Sequence, residues 1–285
     1  MKILKKINNS VKTRVLSSMY GWENIQTAFV TSTGRTGTMF FRDFFTENFE
    51  NTKAVHEPWP DLHDIGYNRH HNKFSLDRTI DIIKRERSGI CQELNNDKIT
   101  NFLESNYNLS YLLPYLEPVF GEFKLVHVIR EPKSYLKSIF STEDANRHIY
   151  APFDNRPRIT APDFPEDPYA NQWENWGRFE KLCWHYYKVN TQLGDFVDAS
   201  DNAITVKFDE IFKQENNFEG LFKIVDFIGF PLKKGKSRAN LLSSLTNRAN
   251  KTKKAGLTGY EEWTKEQKAI FHKITDPVAD RFGLL

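Results

Sequence analysis

The chain has 285 residues, and its 40 lysines and arginines nearly balance its 37 aspartates and glutamates, for a formal net charge of +3. This balance excludes the broad basic field with which proteins coat nucleic acid, so any anion site has to be a local cluster. No apolar run approaches the roughly 18 residues of a transmembrane helix. We therefore expect no nucleic-acid partner and no stable membrane insertion.

Residues 1–24 form a basic segment with apolar residues at helical spacing. The segment could lie on a membrane surface, act as a transit peptide or pack on the domain as a helix. Lys5 and Lys6 interrupt the apolar stretch that a secretory signal requires. Cys91 and Cys183 lie among apolar or aromatic residues, as free thiols in a reducing compartment do. We expect a cytoplasmic protein.

Short apolar runs bounded by turn residues predict buried strands at 27–32, 53–57, 90–94, 124–130 and 203–208. Helical patterns lie between them, at 37–48, 77–87, 110–120 and 132–140. Strands that alternate with helices predict an α/β fold, a three-layer α/β/α sandwich around a central parallel sheet. His127 falls inside a predicted strand and is expected to be a hydrogen-bonded core histidine.

Residues 25–285 are predicted to form a single domain with a Pro-rich loop insertion at about 142–170. Such loops often cover sites, and this one could act as a lid. Helices are expected from about Gln172 to Phe196 and over 217–231. The last helix should begin after Thr264, because Gln267 completes a capping-box pattern with it.

The strongest local motif is VTSTGRTGTMFF at 30–41, where a strand meets Gly34 and Gly37 and then enters a helix. Glycines let successive amides point inward, and the helix N-terminus attracts anions, so this pattern predicts a phosphate-binding strand–loop–helix. The basic Arg35 lies between the glycines and no lysine precedes Thr38, so the pattern of nucleoside triphosphatases fails. A later strand ends in Arg130 where a magnesium-binding aspartate would be needed, and we expect no metal.

The second motif is HVIREPKSYLKS at 127–138. Arg130 closes a strand, Pro132 suits the first turn of a helix, and Ser138 follows two turns later. A guanidinium fork and a hydroxyl at one strand end suit a phosphate monoester.

Together the two motifs resemble the sulfotransferases that use 3′-phosphoadenosine 5′-phosphosulfate (PAPS) and release adenosine 3′,5′-bisphosphate (PAP). The family pattern [KR]-[ST]-G-[ST] for the 5′-phosphosulfate matches residues 35–38, and its 3′-phosphate pattern R-x-P-x-x-x-x-x-S matches residues 130–138. The segments 184–190, 208–212, 226–231 and 263–267 also resemble family features. The resemblance thus covers about residues 25–285 and implies PAPS as the donor, without a metal.

The resemblance also assigns cofactor-binding residues. The implied set is Thr33, Gly34, Arg35, Thr36, Gly37, Thr38, Met39, Arg130 and Ser138, together with Arg248, Asn250, Lys251 and Lys253 in a loosely matching basic segment. Arg35 is also implied to act in catalysis, by neutralising the leaving group.

Two residues compete for the role of catalytic base. Small-molecule members of the family use a histidine some way after the second strand, whereas many carbohydrate-type members have a glutamate in a Glu-Pro pair directly after it. The sequence AVHEPWPDL at 54–62 places both His56 and Glu57 at that strand end. The Glu-Pro match favours Glu57, with His56 as the alternative.

The sequence also bears on the identity of the acceptor. Residues expected near the mouth of the site are Glu57, Trp59, Asp61, Asp64, Glu93 and Asn95, although Glu93 and Asn95 could equally cap a loop. Their acidic and aromatic character favours a cationic or polyhydroxylated small molecule. A carbohydrate sulfotransferase and a nucleotide or small-molecule kinase remain alternatives, and the sequence leaves open whether the chain is a monomer or a homodimer.

Overall fold

The computed structural model describes residues 21–140, 149–213, 218–246 and 257–285. Its centre is a five-stranded sheet in which every pairing is parallel, with the strand order β2-β3-β1-β4-β5. The strands are β1 (Gln26–Thr31), β2 (Thr52–His56), β3 (Asn101–Ser105), β4 (Phe123–Ile129) and β5 (Ala203–Lys207).

Ten α-helices are formed by the described residues. They are α1 (Thr38–Asn48), α2 (His63–His70), α3 (Leu76–Asn96), α4 (Glu117–Phe120), α5 (Pro132–Phe140), α6 (Arg178–Asp198), α7 (Phe208–Phe212), α8 (Glu219–Ile228), α9 (Arg238–Thr246) and α10 (Lys265–Arg281). Short 3₁₀ turns lie at Tyr107–Tyr111, Leu113–Tyr115, Ala161–Asp163, Ala170–Asn175 and Tyr260–Glu262. No helix among the described residues is both long enough and apolar enough to cross a bilayer.

The helices cover both faces of the sheet. Successive side chains of a strand point to opposite faces, so Ala28 and Val30 pack with α1 and α8 while Phe29 packs with α3 and α6. A third apolar cluster joins α5, α6 and α10 to residues 149–169 of the Pro-rich segment and to Trp173. The predicted three-layer α/β/α architecture around a parallel sheet is confirmed.

The order of the strands determines where a ligand site can form. From β1 the chain crosses to β2 and returns to β3 on one side, and it then crosses to β4 and β5 on the other. The crossovers therefore diverge at the carboxyl end of β1, and α/β sheets bind ligands in the crevice at such a switch point.

Two predicted elements are wrong. Residues 90–94 were expected to form a strand, but they complete α3, whose buried positions Thr79, Ile83, Arg87, Cys91 and Leu94 recur at helical spacing. The third strand is instead Asn101–Ser105. Residues 110–120 do not form one helix, because Pro114 and Pro118 lack the backbone N–H that a continuous helix needs, and the segment divides into short turns and α4.

Other predictions are confirmed with small shifts at their ends. The helix expected from Gln172 begins at Arg178 after a 3₁₀ turn, and the helix within 217–231 spans Glu219–Ile228. Thr264 and Gln267 form the reciprocal capping box of α10, with bonds of 3.0 and 3.1 Å. His127 is buried and hydrogen-bonded to Asn190 and Thr205.

Candidate active site

The turn between β1 and α1 has the shape of an anion cradle. Gly34, Arg35 and Gly37 all adopt positive φ, at 79°, 59° and 72°. Ser32 holds the turn closed, because its Oγ accepts bonds from the Gly34 N–H at 2.9 Å and from the Thr36 hydroxyl at 2.7 Å. Gly37 precedes α1 and supplies no side chain to cap it, so the first N–H groups of the helix face the turn.

Gly37 also has no room for a side chain. A Cβ at this position would lie 2.8 Å from the ring of Phe212, which is closer than any real Cβ contact. The positive φ and the close approach of Phe212 together explain why glycine is required there.

The two phosphate motifs predicted from the sequence interlock through hydrogen bonds. The Arg130 Nη1 donates to the Arg35 carbonyl at 2.7 Å, and the Arg35 Nε donates to the Ser138 hydroxyl at 3.2 Å. Arg130 also donates to Ser134 at 2.8 Å and lies over the ring of Phe208. Residues separated by about 100 positions in sequence thus form one basic site at the carboxyl ends of β1 and β4.

The electrostatics of this site favour an anion. Burial lowers the pKa of Arg130, and the neighbouring positive charge of Arg35 lowers it further, against the opposing charges of Asp209 and Glu131. The Glu131 carboxylate accepts bonds from the Lys133 and Ser134 N–H groups at the start of α5. Two guanidinium groups held this close are stabilised by a bound anion.

His56 and Glu57 lie side by side at the end of β2. The His56 Nδ1 lies 3.1 Å from both the carbonyl and the hydroxyl oxygen of Ser105, and its Nε2 lies 3.5 Å from the Glu57 carboxylate. The Glu57 side chain is 22% exposed and that of His56 only 8%. Glu57 therefore has better access to an incoming molecule, while β3 holds the ring of His56 in place.

Tyr107 connects these residues to the glycine turn. Its ring packs against Gly34, and its pKa is raised by burial and by the Glu57 carboxylate, against the positive charges of Arg156 and Arg158. Tyr107 was not predicted from the sequence, because the strand β3 before it was not identified there. The run ITNFLES at 99–105, which has β-branched residues and follows a polar turn, was the signal that could have found the strand and the residues after it.

No protein-family model and no curated protein sequence matches this chain. Its structure is similar to the sulfotransferase domain from the curacin biosynthetic pathway, with 12% identity, a TM-score of 0.50, and 91% of this chain and 98% of that chain covered. The chain has the sulfotransferase fold.

Two further solved structures are similar, at lower scores. A sulfotransferase from Alicyclobacillus acidocaldarius has 12% identity and a TM-score of 0.47, with 90% of this chain and 93% of that chain covered. The mouse sulfotransferase SULT7A1, solved as a complex with PAP, has 13% identity and a TM-score of 0.49, with 92% and 86% covered.

Within this sulfotransferase fold, the predicted acceptor residues divide into two groups. Glu57, Trp59 and Asp61 lie on the turn that follows β2, at the same end of the sheet as the glycine turn. Trp59 is 87% exposed. Asp61 is paired in two-point fashion with Arg156 of the Pro-rich segment, at 2.9 and 3.1 Å, and this pairing lowers its pKa despite the opposing effect of burial.

The placement expected for Glu93 and Asn95 is wrong. Both belong to the last turns of α3 rather than to a strand end. Glu93 pairs with Lys53 at the start of β2, and the Asn95 amide donates to the carbonyl groups of Gly21 and Cys91. These contacts lie at the amino ends of the strands, so the structure does not bring Glu93 and Asn95 to the site.

A cavity of about 40 Å³ lies beside the glycine turn, beneath the Pro-rich segment. Its lining includes Ser32, His63, Tyr107, Tyr111, Tyr150 and His185. Burial lowers the pKa of His63 and lowers that of His185 to about 3, so both rings are neutral at neutral pH. Arg158, a charged group in the lining, is paired with Asp154 at 2.9 Å. The cavity is lined by aromatic, apolar and polar side chains, and its charged groups are paired or neutral.

Several predicted residues lie outside the described part of the chain. They are Arg248, Asn250, Lys251 and Lys253, residues 1–20 of the N-terminal segment, and residues 142–148 of the Pro-rich segment. Among the described residues, no group of three or more histidine, cysteine or carboxylate side chains is arranged to hold a metal ion.

Proposed function

We propose that the chain transfers the sulfuryl group of PAPS to a hydroxyl or amine of a small-molecule acceptor and releases PAP. The observation that carries this proposal is the pair of hydrogen bonds that join Arg35 to Arg130 and to Ser138. These bonds unite two separate anion-binding elements, a glycine turn with a helix N-terminus and a guanidinium–hydroxyl pair. A nucleotide with anionic groups on both its 5′ and its 3′ oxygen needs two such elements.

The residues present fit PAPS. The cradle of residues 33–39 has the positive φ angles that turn backbone N–H groups inward, and it leads into the N-terminus of α1. We assign this cradle to the 5′-phosphosulfate, and Arg130 and Ser138 to the 3′-phosphate. Arg248, Asn250, Lys251 and Lys253 are assigned to the nucleotide on the resemblance alone. When bound, PAPS supplies a sulfuryl group activated by a phosphate leaving group.

The chain's own residues would stabilise the negative charge of the leaving group and accept one proton from the acceptor. Arg35 and the turn amides bind the anionic end of the nucleotide and stabilise the negative charge that increases there during transfer. The Glu57 carboxylate accepts the proton of the acceptor hydroxyl or amine, a contribution of roughly 10²–10⁴ in rate. Ser105 restrains the ring of His56, which is the alternative base.

The alternative to a small metabolite or natural product is a carbohydrate acceptor. The Glu-Pro pair at 57–58 favours a carbohydrate acceptor. The cytoplasmic location stays a prediction.

The proposal is tested by calorimetric titration of metal-free protein with PAP and, in parallel, with ADP. We expect micromolar binding of PAP without magnesium and much weaker binding of ADP. Equal binding of both nucleotides, or binding of ADP only with magnesium, would refute the proposal and favour the alternative function of a nucleotide or small-molecule kinase.

The base is tested separately with a matched pair of variants. Glu57→Gln should retain PAP binding and lose sulfuryl transfer, since the amide cannot accept the proton. Glu47→Gln removes an exposed carboxylate in the last turn of α1, which lies before the amino end of β2, and should leave transfer unchanged. Normal turnover by Glu57→Gln would transfer the role to His56, and the corresponding test is His56→Gln.

A further inference from the structure

The turn that carries the proposed base has a conformation that its own residues disfavour. Glu57 and Leu62, at its two ends, have φ of 43° and 66°, in the left-handed region that residues other than glycine rarely adopt. Such a conformation persists only where the surrounding structure holds it. The contacts that hold this turn therefore control where the Glu57 carboxylate lies.

One of these contacts comes from a fully buried arginine on α3. The Arg87 Nε and Nη2 donate to the two carboxylate oxygens of Glu104 on β3, each at 2.8 Å, and the side chains of both residues are 0% exposed. The remaining terminal nitrogen, Nη1, donates to the carbonyl oxygen of Pro60 in the turn at 2.9 Å.

The same carboxylate extends the network to the next residue of the turn. The Asn106 amide donates to Glu104 at 2.9 Å and to the Asp61 carbonyl at 3.2 Å. The Asn108 amide donates to the same Asp61 carbonyl at 3.1 Å. The Pro60 carbonyl is thus bonded to Arg87, and the Asp61 carbonyl to Asn106, which Glu104 also binds.

A buried ion pair is a poor device for stability alone, because the cost of removing two charges from water often equals or exceeds their attraction. Two well-packed apolar side chains could fill the same space. What apolar side chains cannot do is donate to the Pro60 carbonyl and orient the Asn106 amide. The geometry thus supports a role in directing the turn.

We propose that Arg87 is a positioning residue, which acts through Glu104 and the Pro60 and Asp61 carbonyls to hold the 57–62 turn and its Glu57 carboxylate in place. This inference rests on the proposed function for the role of Glu57. It does not require Arg87 to touch a substrate.

The test uses the double variant Arg87→Met/Glu104→Leu, which removes both charges together and leaves neither one buried and unpaired. Arg87→Lys is the second variant, because lysine keeps the charge but cannot donate to Glu104 twice and to Pro60 at once. It decides the question if the double variant does not fold. Ile83→Ala is the control, since Ile83 is buried one turn earlier on the same helix and its hydrocarbon side chain cannot donate a hydrogen bond to the turn's carbonyl groups.

The first measurement is steady-state transfer from PAPS to the best acceptor of a panel of 2-naphthol, 1-pentanol, tyramine and glucosamine. We expect the double variant to lose at least about tenfold in kcat, since a small displacement of a catalytic group has large effects on rate. The dissociation constant of PAP should stay within about twofold of the wild type. Ile83→Ala should keep its kcat at a temperature where it is folded.

The second measurement does not depend on activity. Trp59 is exposed within the turn, so fluorine NMR of protein labelled with 5-fluorotryptophan, assigned with Trp59→Phe, reports the order of the turn. In the double variant and in Arg87→Lys, the Trp59 signal should shift or broaden while the signals of the other tryptophans stay unchanged. In Ile83→Ala it should not move.

An unchanged Trp59 signal together with a kcat within about twofold of the wild type would overturn the proposal. If the wild type transfers sulfuryl to none of the four acceptors, the titrations with PAP and ADP decide the proposed function, and the NMR result alone decides the role of Arg87.

Discussion

Arg130 is the residue whose removal should most directly weaken nucleotide binding. Its guanidinium is bonded to the Arg35 carbonyl at 2.7 Å and to Ser134 at 2.8 Å, so it is fixed before any ligand arrives. A hydrogen bond to a charged group contributes about 1.5–3 kcal/mol, and each 1.4 kcal/mol is about tenfold in affinity. We therefore expect Arg130→Ala to raise the dissociation constant of PAP by about 10- to 150-fold.

Controls separate this contact from a general loss of charge. Arg130→Lys keeps the charge but loses the fork, and its affinity should be intermediate. Arg42→Ala removes an exposed arginine of α1 that is bonded to Asp43, and it should bind PAP like the wild type. The assay is calorimetric titration with PAP and ADP at two salt concentrations.

The effect should also be selective. Because Arg130 is assigned to the 3′-phosphate, its loss should reduce PAP affinity towards that of ADP and leave ADP binding nearly unchanged. Binding of PAP by Arg130→Ala within about twofold of the wild type, or an equal loss for both nucleotides, would refute the assignment.

Three further predictions concern the surroundings of the site. Gly37→Ala forces a Cβ towards Phe212 at positive φ, so we expect a loss of at least about 1–2 kcal/mol in the free energy of unfolding, measured with urea, and weaker PAP binding. Burial lowers the pKa of His127 to about 4, below its ordinary 6.5, so the unfolded chain binds more protons and stability should fall as the pH drops from 6.5 towards 4. Between these pH values His127 changes the free energy of unfolding by about 1.4 kcal/mol per pH unit. The plot of this free energy against pH, measured with urea, should therefore be less steep for His127→Gln by that amount. Arg156→Gln breaks the half-buried pair with Asp61, which holds the Pro-rich segment against the turn after β2. Protease cleavage within 149–169 should become several-fold faster, while the free energy of unfolding falls by about 1 kcal/mol or less. An unchanged cleavage rate would show that the pair does not hold the segment.

Local patterns in the sequence were sufficient to predict many of the secondary-structure elements. Four strands, the cradle of residues 33–39 and the capping box of Thr264 were predictable because each depends on residues that are neighbours in the chain. The secondary structure between residues 87 and 105 was not predictable, because a run of five residues is too short for its periodicity to distinguish a strand from a buried helical turn. Because residues 90–94 were predicted as a strand, Glu93 and Asn95 were expected at the wrong end of the sheet. For the same reason Tyr107, which follows the true third strand, was not predicted as a site residue.

The sequence alone determined the presence of two anion-binding motifs, since glycine conformation, strand ends and helix starts are local properties. Only the tertiary structure decided which side chains meet. The parallel pairing of β1 with β3 and β4 brings Arg35 to Arg130, and Tyr107 to Gly34. The pairing of Arg156 with Asp61 joins segments 95 positions apart, and the buried Arg87–Glu104 pair holds a turn that lies in neither residue's own element. Contacts of this kind depend on how the strands are ordered in the sheet, and no short stretch of the sequence encodes that order.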